Sequence, residues 1–384
     1  MARLILSISP KSRAFKPSLA KIFQMKLALS FAALTVVAVC GLTGCGKLSV
    51  PVAPTAVAKY RAYGDSITQG YTLSEPSTQS YPALVAVFEN VTFANNALDG
   101  DEACDVTTRQ IFPNRDNPTF AEHPTYTVLI GTNDVDRSDA VTYEPTFNLC
   151  HRAIVSWLGL PAELKVLMGS NAVSTSGPGA IDTSDSWNAW STEGEGSSVT
   201  FKITTSRKGP IYGWPIIDDT SVASYSYWLD GLEVASAQVS ADPKISTYNR
   251  TTQSLGFLRF GSVPAGVHVV SFVQTSSGSS GVSVVGIGSP ATSISGPMPT
   301  VLVGTIPYQD HPSGTGRCTP SDALCLAYIE DIENDAALFT SDGLDVVVFD
   351  TRKYMLGTPA EMNDALHPNP LGQKEISQSV EAVW

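Results

Sequence analysis

Four short polar constellations in this 384-residue chain carry residue types suited to nucleophilic catalysis. Gly64-Asp65-Ser66 follows a run, Lys59 to Tyr63, that reads as a β-strand, so Ser66 falls where a strand enters a turn. Sheets of α/β proteins carry their reactive groups at such carboxyl ends, which makes Ser66 a candidate nucleophile. A serine hydroxyl attacks poorly near neutral pH unless an imidazole takes its proton, and that imidazole needs a partner to fix its tautomer. Asp364 and His367, three residues apart in Asp364-Ala365-Leu366-His367-Pro368-Asn369, supply both groups in one loop. Negative charge developing on a tetrahedral adduct also needs preorganised donors, each worth about 2.7–4 kcal/mol. Asn133, within Gly131-Thr132-Asn133-Asp134, and Gly100, ending the loop Asn95 to Gly100, are suited to that role.

The elements that must hold these groups are readable from periodicity and turn residues. Tyr81 to Glu89 and Pro145 to Leu158 read as helices, and Val91 to Ala94 and Tyr126 to Ile130 as strands. Further on, Thr300 to Ile306 and Leu344 to Phe349 read as strands, with Ser321 to Thr340 and Pro370 to Val383 as helices. Each polar residue has a bland reading as well. Ser66 and Gly100 suit turns, Asn133 and Asp364 suit caps, and His367 can pack beside Pro368. Their joint occurrence in chain order favours the chemical reading. Asp65 and Asp134 are expected to hold loops, and His123, His151, His268 and His311 to be surface or packing residues.

Through GDS at 64–66, Gly100, GTND at 131–134 and DALHPN at 364–369, the sequence resembles the SGNH (GDSL-type) hydrolases. The resemblance covers residues 59 to about 160 and about 297 to 384. It implies Ser66 as nucleophile, His367 as general base and Asp364 as its orienting carboxylate. It also implies the Ser66 and Gly100 backbone N–H groups and the Asn133 amide as oxyanion donors. The fold it implies is a three-layer α/β/α, flavodoxin-like domain of about five parallel strands. The activity it implies is a serine esterase cleaving acyl esters through an acyl-enzyme, acting on a small molecule or a glycan, with no metal and no organic cofactor. Deacetylation of a carbohydrate in the cell envelope is the specific expectation. A lysophospholipase or thioesterase with the same triad is the alternative, as is a non-catalytic surface lipoprotein that binds carbohydrate. There is no G-x-S-x-G, which weighs against an α/β-hydrolase elbow.

Residues 160–296 interrupt this pattern with a stretch rich in Ser, Thr, Gly and aromatic residues. Val199 to Thr204, Tyr225 to Leu229, Val267 to Val273 and Gly281 to Ile287 read as short strands between turn signals such as Asp230-Gly231. Several short strands and no long helix imply an inserted all-β sandwich or jelly roll. The segment from Val199 through Gly231 is similar to jelly-roll modules attached to some carbohydrate esterases. Trp187, Trp190, Tyr212, Trp214, Tyr225, Tyr227 and Trp228 would serve mainly as sandwich core, with sugar stacking as the rival use. The expected domains are therefore 59–159 and 297–384 as two parts of one hydrolase, with 160–296 inserted between them near the strands' carboxyl ends, where the insert would wall the cleft.

Charge and cysteines place the chain in a compartment. Residues 1–44 hold six basic residues and no acidic one, and Leu27 to Leu42 is apolar but shorter than the roughly 20 residues of a membrane span. Leu42-Thr43-Gly44-Cys45 looks like a bacterial lipobox, so residues 1–45 are expected to be a signal peptide ending at a lipidated Cys45, followed by a linker at 46–58. That predicts an exported lipoprotein anchored in the envelope, in the periplasm, outer membrane or cell surface. In an oxidising compartment, Cys104, Cys150, Cys318 and Cys325 favour two disulfides, Cys104 with Cys150 and Cys318 with Cys325. A zinc site is disfavoured because there is no CxxC and no histidine at ligand spacing beside these thiols. The whole chain has 24 basic against 36 acidic residues and a net charge of -12, which repels nucleic-acid phosphate and excludes it as a partner.

Overall fold

The computed structural model describes residues 58–114, 120–182, 187–219, 223–238, 245–246, 251–277, 281–309 and 318–384, all within one compact unit. The expected signal peptide, the lipobox with Cys45, the linker short of Ala58, His311 and the side chain of His123 lie outside the described residues.

Five parallel strands form a central sheet in the order Asp345–Phe349, Thr300–Gly304, Phe120–Leu129, Ala58–Gly64, Phe93–Asn95. Counted along the chain from the opposite edge, this is the doubly wound order 2-1-3-4-5. Alternate residues of each strand face opposite ways, so two cores form. Tyr60, Ala62 and Leu302 pack with Tyr81, Val85, Ile376 and Val380 from the helices Tyr81–Phe88 and Pro370–Glu381. Tyr63, Val128, Val301 and Val303 pack with Phe147, Ile154, Tyr328 and Phe339 from the helices Ala140–Gly159 and Ala323–Asp342. Ala140–Gly159 begins five residues before the expected start at Pro145. Proline removes the hydrogen bond to the carbonyl four residues earlier, here that of Val141, and Val141 is exposed, so water can take the lost partner's place.

Residues 165–288 contribute two antiparallel sheets. One has the order Leu232–Gln238, Ser224–Leu229, Gly266–Gln274, Ser198–Thr205, Val173–Ser176. The other is built around Gly209–Asp218 and Ser283–Gly288, joined by Gln253–Leu255, Leu258–Val263, Lys165–Leu167, Ala189–Thr192 and Gly179–Asp182. Between the sheets lie Phe201, Ile211, Tyr225, Phe260, Phe272 and Val284. The four expected strands are present, and Trp187, Tyr212, Trp214 and Tyr225 are buried core, whereas Trp190, Tyr227 and Trp228 are half-buried.

The strand Gly209–Asp218 is buried along its whole length. Ile211 points into the sandwich, while Tyr212, Trp214 and Ile216 point the other way, into the core shared with the long helices. Trp214 Nε1 donates to Ser156 Oγ at 3.0 Å, Tyr212 donates to Asp342 at 2.8 Å, and Arg259 pairs with Asp342 at 2.5 Å. These contacts correct the expected attachment. The chain leaves the α/β part after Gly159, which abuts Leu344 at the amino end of Asp345–Phe349, and returns at Thr300, the first residue of a central strand. Both junctions therefore lie at the sheet's amino edge, because a helix that leaves the carboxyl edge must run back to the amino edge before the next parallel strand. The β sheets dock along the side of the helices.

Candidate active site

Ser66 opens the short helix Ser66–Gln69 directly after Ala58–Gly64. Asp65 caps that helix, its Oδ1 accepting from the Ile67 N–H at 2.9 Å, and so holds the loop as expected. Gly64 is required by space: with φ at 156°, a Cβ there would lie 2.2 Å from Leu129 O and 2.3 Å from Thr68 Oγ1. Burial pushes the Asp65 carboxyl up to about 7, against the opposing pull of the Ile67 N–H.

The partner loop comes from the other end of the chain. Asn369 caps the final helix by accepting from Leu371 and Gly372 N–H, with Pro370 at its first position. Gln373 in that helix donates to Ile67 O at 2.9 Å and accepts from Tyr81 N at 2.8 Å, fixing the helix against the Ser66 turn. His367 thereby comes to Ser66, with Nε2 to Oγ at 3.1 Å. On its far side Nδ1 lies 2.8 Å from Asp364 Oδ2, and Asp364 Oδ1 accepts the backbone N–H groups of Leu366 and His367. Partial burial acts to raise the Asp364 carboxyl, but the His367 hydrogen bond and the two N–H donors outweigh it and hold it below its ordinary value.

Gly100 and Asn133 come from loops at the same edge. The segment after Phe93–Asn95 is pinned to the first strand by Asn96 N to Ala62 O and Leu98 N to Gly64 O, and a turn from Leu98 to Asp101 places Gly100 at φ 70°. Asn133 follows Phe120–Leu129 and donates from Nδ2 to Asp101 O at 2.9 Å. Serine and asparagine thus follow adjacent strands on either side of the point where the strand order reverses, which is where open α/β sheets form their crevice.

Supports that the sequence reading does not anticipate surround these loops. Gln110 donates to Gly64 O at 2.7 Å and to Asp101 Oδ2 at 2.8 Å, and accepts from Gly64 N. Asp101 is ion-paired with Arg109. Asp134 receives the Ala103 N–H on both oxygens, as a loop holder should. Burial, reinforced by the charge of Glu102, raises the Asp134 carboxyl. Gln110 carries no local signal, since its partners are 46 and 9 residues away.

The cysteines pair as expected, Cys104 with Cys150 and Cys318 with Cys325. The first disulfide ties the turn after Gly100 to the helix Ala140–Gly159. His151 and His268 are buried packing residues, each bonded to a carboxylate. Among the described residues no cluster of His, Cys, Asp or Glu is arranged to hold a metal, and no helix is long and apolar enough to cross a membrane.

No family model matches the chain, and no curated protein matches it. Among solved structures, a member of the lipolytic G-D-S-L family from Veillonella parvula matches at 12% identity, covering 85% of this chain and 97% of its own, with a TM-score of 0.37. A two-domain esterase active on acetylated mannans matches at 12% identity, covering 63% of this chain and 93% of its own, with a TM-score of 0.37. A family 35 carbohydrate-binding module from Cellvibrio japonicus matches at 13% identity, covering 36% of this chain and 99% of its own, with a TM-score of 0.25. The solved neighbours thus include both a GDSL-type protein and a carbohydrate-binding module.

Proposed function

We propose that this chain is a serine esterase of SGNH type that cleaves acyl esters through an acyl-enzyme. The observation that carries the reading is the unbroken line Ser66 Oγ, His367 Nε2, His367 Nδ1, Asp364 Oδ2, with steps of 3.1 and 2.8 Å across the two hydrogen bonds. With Asp364 accepting from Nδ1–H, the Nε2 lone pair faces the Ser66 hydroxyl. Ser66 Oγ attacks the acyl carbonyl carbon as its proton passes to Nε2. The oxyanion forms against the Ser66 and Gly100 backbone N–H groups and the Asn133 amide. Asn133 has two N–H donors and spends one on Asp101 O, which leaves the second for the substrate. The adduct collapses, the alcohol oxygen takes the proton from His367, and water activated by the same imidazole releases the acid. No step calls for a metal or an organic cofactor.

In this reading residues 59–159 and 297–384 form one flavodoxin-like hydrolase domain and 160–296 an inserted jelly roll. Two disulfides fit an exported protein. Lipid attachment at Cys45 and an acetylated envelope carbohydrate as substrate complete the proposal. Ser66→Ala is the test. The variant should keep the far-ultraviolet circular dichroism of the parent and lose p-nitrophenyl acetate hydrolysis by about 10⁴-fold. Retained turnover would overturn the assignment, and a dominant preference for long acyl chains in the parent would move the substrate to a lysophospholipid or thioester.

A further inference from the structure

Tyr71 is a half-exposed aromatic residue that the mechanism above leaves unused. Its backbone N–H donates to Ser66 O at 2.9 Å, one turn beyond the nucleophile, after Gly70 ends the helix at φ 82°. Its ring lies 4.9 Å from the His367 ring, centroid to centroid, at 54°, and Tyr71 is 49% exposed. The next residue, Thr72, adopts φ 71°, a left-handed conformation that β-branched residues rarely accept. Asn363 holds it there, donating from Nδ2 to Thr72 Oγ1 at 2.9 Å, and Asn363 N–H closes the His367 loop onto His367 O at 2.8 Å. A strained turn clamped by the residue before Asp364 thus presents an aromatic ring beside the general base. Such strain persists where surrounding structure imposes it, and it gathers at functional sites.

The direction of the reaction decides what this ring meets. When the adduct collapses, the bond between the acyl carbon and the alcohol oxygen breaks, its electron pair stays on that oxygen, and the proton held on His367 Nε2 completes the alcohol. The leaving oxygen must therefore lie against Nε2, while the carbonyl oxygen points to the Gly100 and Asn133 loops. Whatever the alcohol oxygen is attached to extends past His367, and Tyr71 is the neighbouring surface.

We propose that Tyr71 forms the alcohol-side subsite, a ring on which the ring-shaped alcohol of the ester, a pyranose or an aryl group, stacks while His367 protonates its oxygen. The inference rests on the serine-esterase reading and names the substrate class for it: esters of cyclic alcohols. Flat apolar faces gain from aromatic contact, whereas a short acyclic alcohol has no face to offer.

The test compares the full chain with Tyr71→Ala, Tyr71→Phe and Tyr71→Trp on three acetates: p-nitrophenyl acetate, a mono-acetylated methyl pyranoside and ethyl acetate. For each substrate the ratio of variant to parent kcat/KM is read, which removes intrinsic reactivity. Tyr71→Ala should lower the ratio about tenfold for the two ring alcohols and leave ethyl acetate within about twofold. Phe and Trp should keep the parent's pattern. An equal fall on all three acetates would overturn the subsite and make Tyr71 a support for His367 alone; no fall on any would overturn it outright. Ser66→Ala in the same assay keeps the two claims apart, since loss of turnover there with an unchanged Tyr71→Ala pattern refutes only the subsite.

Discussion

His367, before the last helix, and His268, in the inserted sheets, each bring Nδ1 to 2.8 Å from a carboxylate oxygen, of Asp364 and Asp230. The pairs part company at the other ring nitrogen. His268 Nε2 lies 2.9 Å from the Pro264 carbonyl, so both nitrogens face groups that can only accept, and the charged imidazolium is the form that satisfies them. Burial acts to lower the His268 pKa, but Asp230 and Pro264 O outweigh it and raise it. His367 Nε2 instead faces the Ser66 hydroxyl, which can donate, so a neutral ring with its lone pair toward serine is satisfied. His151, bonded to Asp335 at 2.8 Å inside the helical layer, is a third pair of the same local geometry. A histidine–carboxylate pair thus recurs in this fold as a structural device, and the group at the second nitrogen separates the proposed base, His367, from a brace.

The sharpest break of that comparison is to remove each imidazole in turn. On the proposed mechanism, His367→Gln should reduce kcat on p-nitrophenyl acetate by about 10³-fold or more, because it would remove both the proton acceptor and the proton donor to the leaving group. His268→Gln and His151→Gln should leave kcat per folded molecule within about twofold. A fall at His268 comparable to that at His367 would show that the pairs do not differ in kind.

The residues of the candidate site were legible because each sits in a short local pattern, after a strand or in the loop before the last helix. Asp364 and His367 lie in one loop, and Ser66 follows directly on its strand. The central sheet was legible for a similar reason, since Tyr126 to Ile130 and Thr300 to Ile306 are apolar runs that read as strands without a partner in view. What was hidden depends on long-range packing. Gly209–Asp218 is buried on both faces only because helices lie behind it, and its aromatic residues Tyr212 and Trp214 look from sequence like either core or sugar platforms. The docking side of the insert follows from Gly159 ending its helix against Leu344, at the sheet's amino edge, a placement set by how the helix packs on the sheet rather than by any local pattern. Tyr71 offers no pattern, since the role proposed for it comes from the His367 ring 296 positions later in the chain.

A carboxylate without an imidazole sharpens the contrast further. Asp65, next to Ser66, is buried and raised to about 7, whereas Asp364 is held low by its hydrogen bonds. An unfolded aspartate titrates near 3.9. Between about pH 4 and 7 the folded state therefore holds a proton on Asp65 that the unfolded state has released, and the free energy of unfolding falls as pH rises through this window. Asp65→Asn keeps the Oδ1 acceptor for Ile67 N–H and removes the titration. Its urea midpoint should lose that downward slope and exceed the parent's at pH 7 and above, by on the order of a few kcal/mol in stability. A parent and variant with parallel pH profiles would show that the Asp65 carboxyl titrates normally in the fold.

The smallest expected effect lies at the brace itself. His268 has a raised pKa, so its contribution to stability is fully present below the unfolded histidine value of about 6.5 and is lost as pH rises through the folded value. Partial burial acts to raise Asp230, yet the bonds from His268 and the Val269 N–H hold it below its ordinary value, so its contribution is present above about pH 4 and is lost as pH falls through the folded value. The pair therefore stabilises the inserted sheets most between about pH 4 and 6.5. The Asp230 side chain is about half exposed to solvent, which keeps the effect under about 1 kcal/mol. Thermal melts of parent and His268→Gln should differ most near pH 5.5 and draw together as pH rises through the folded value of His268, while turnover at each pH stays parallel. A difference in melting temperature that does not shrink anywhere on the alkaline side would mean that His268 acts through packing rather than through its charge.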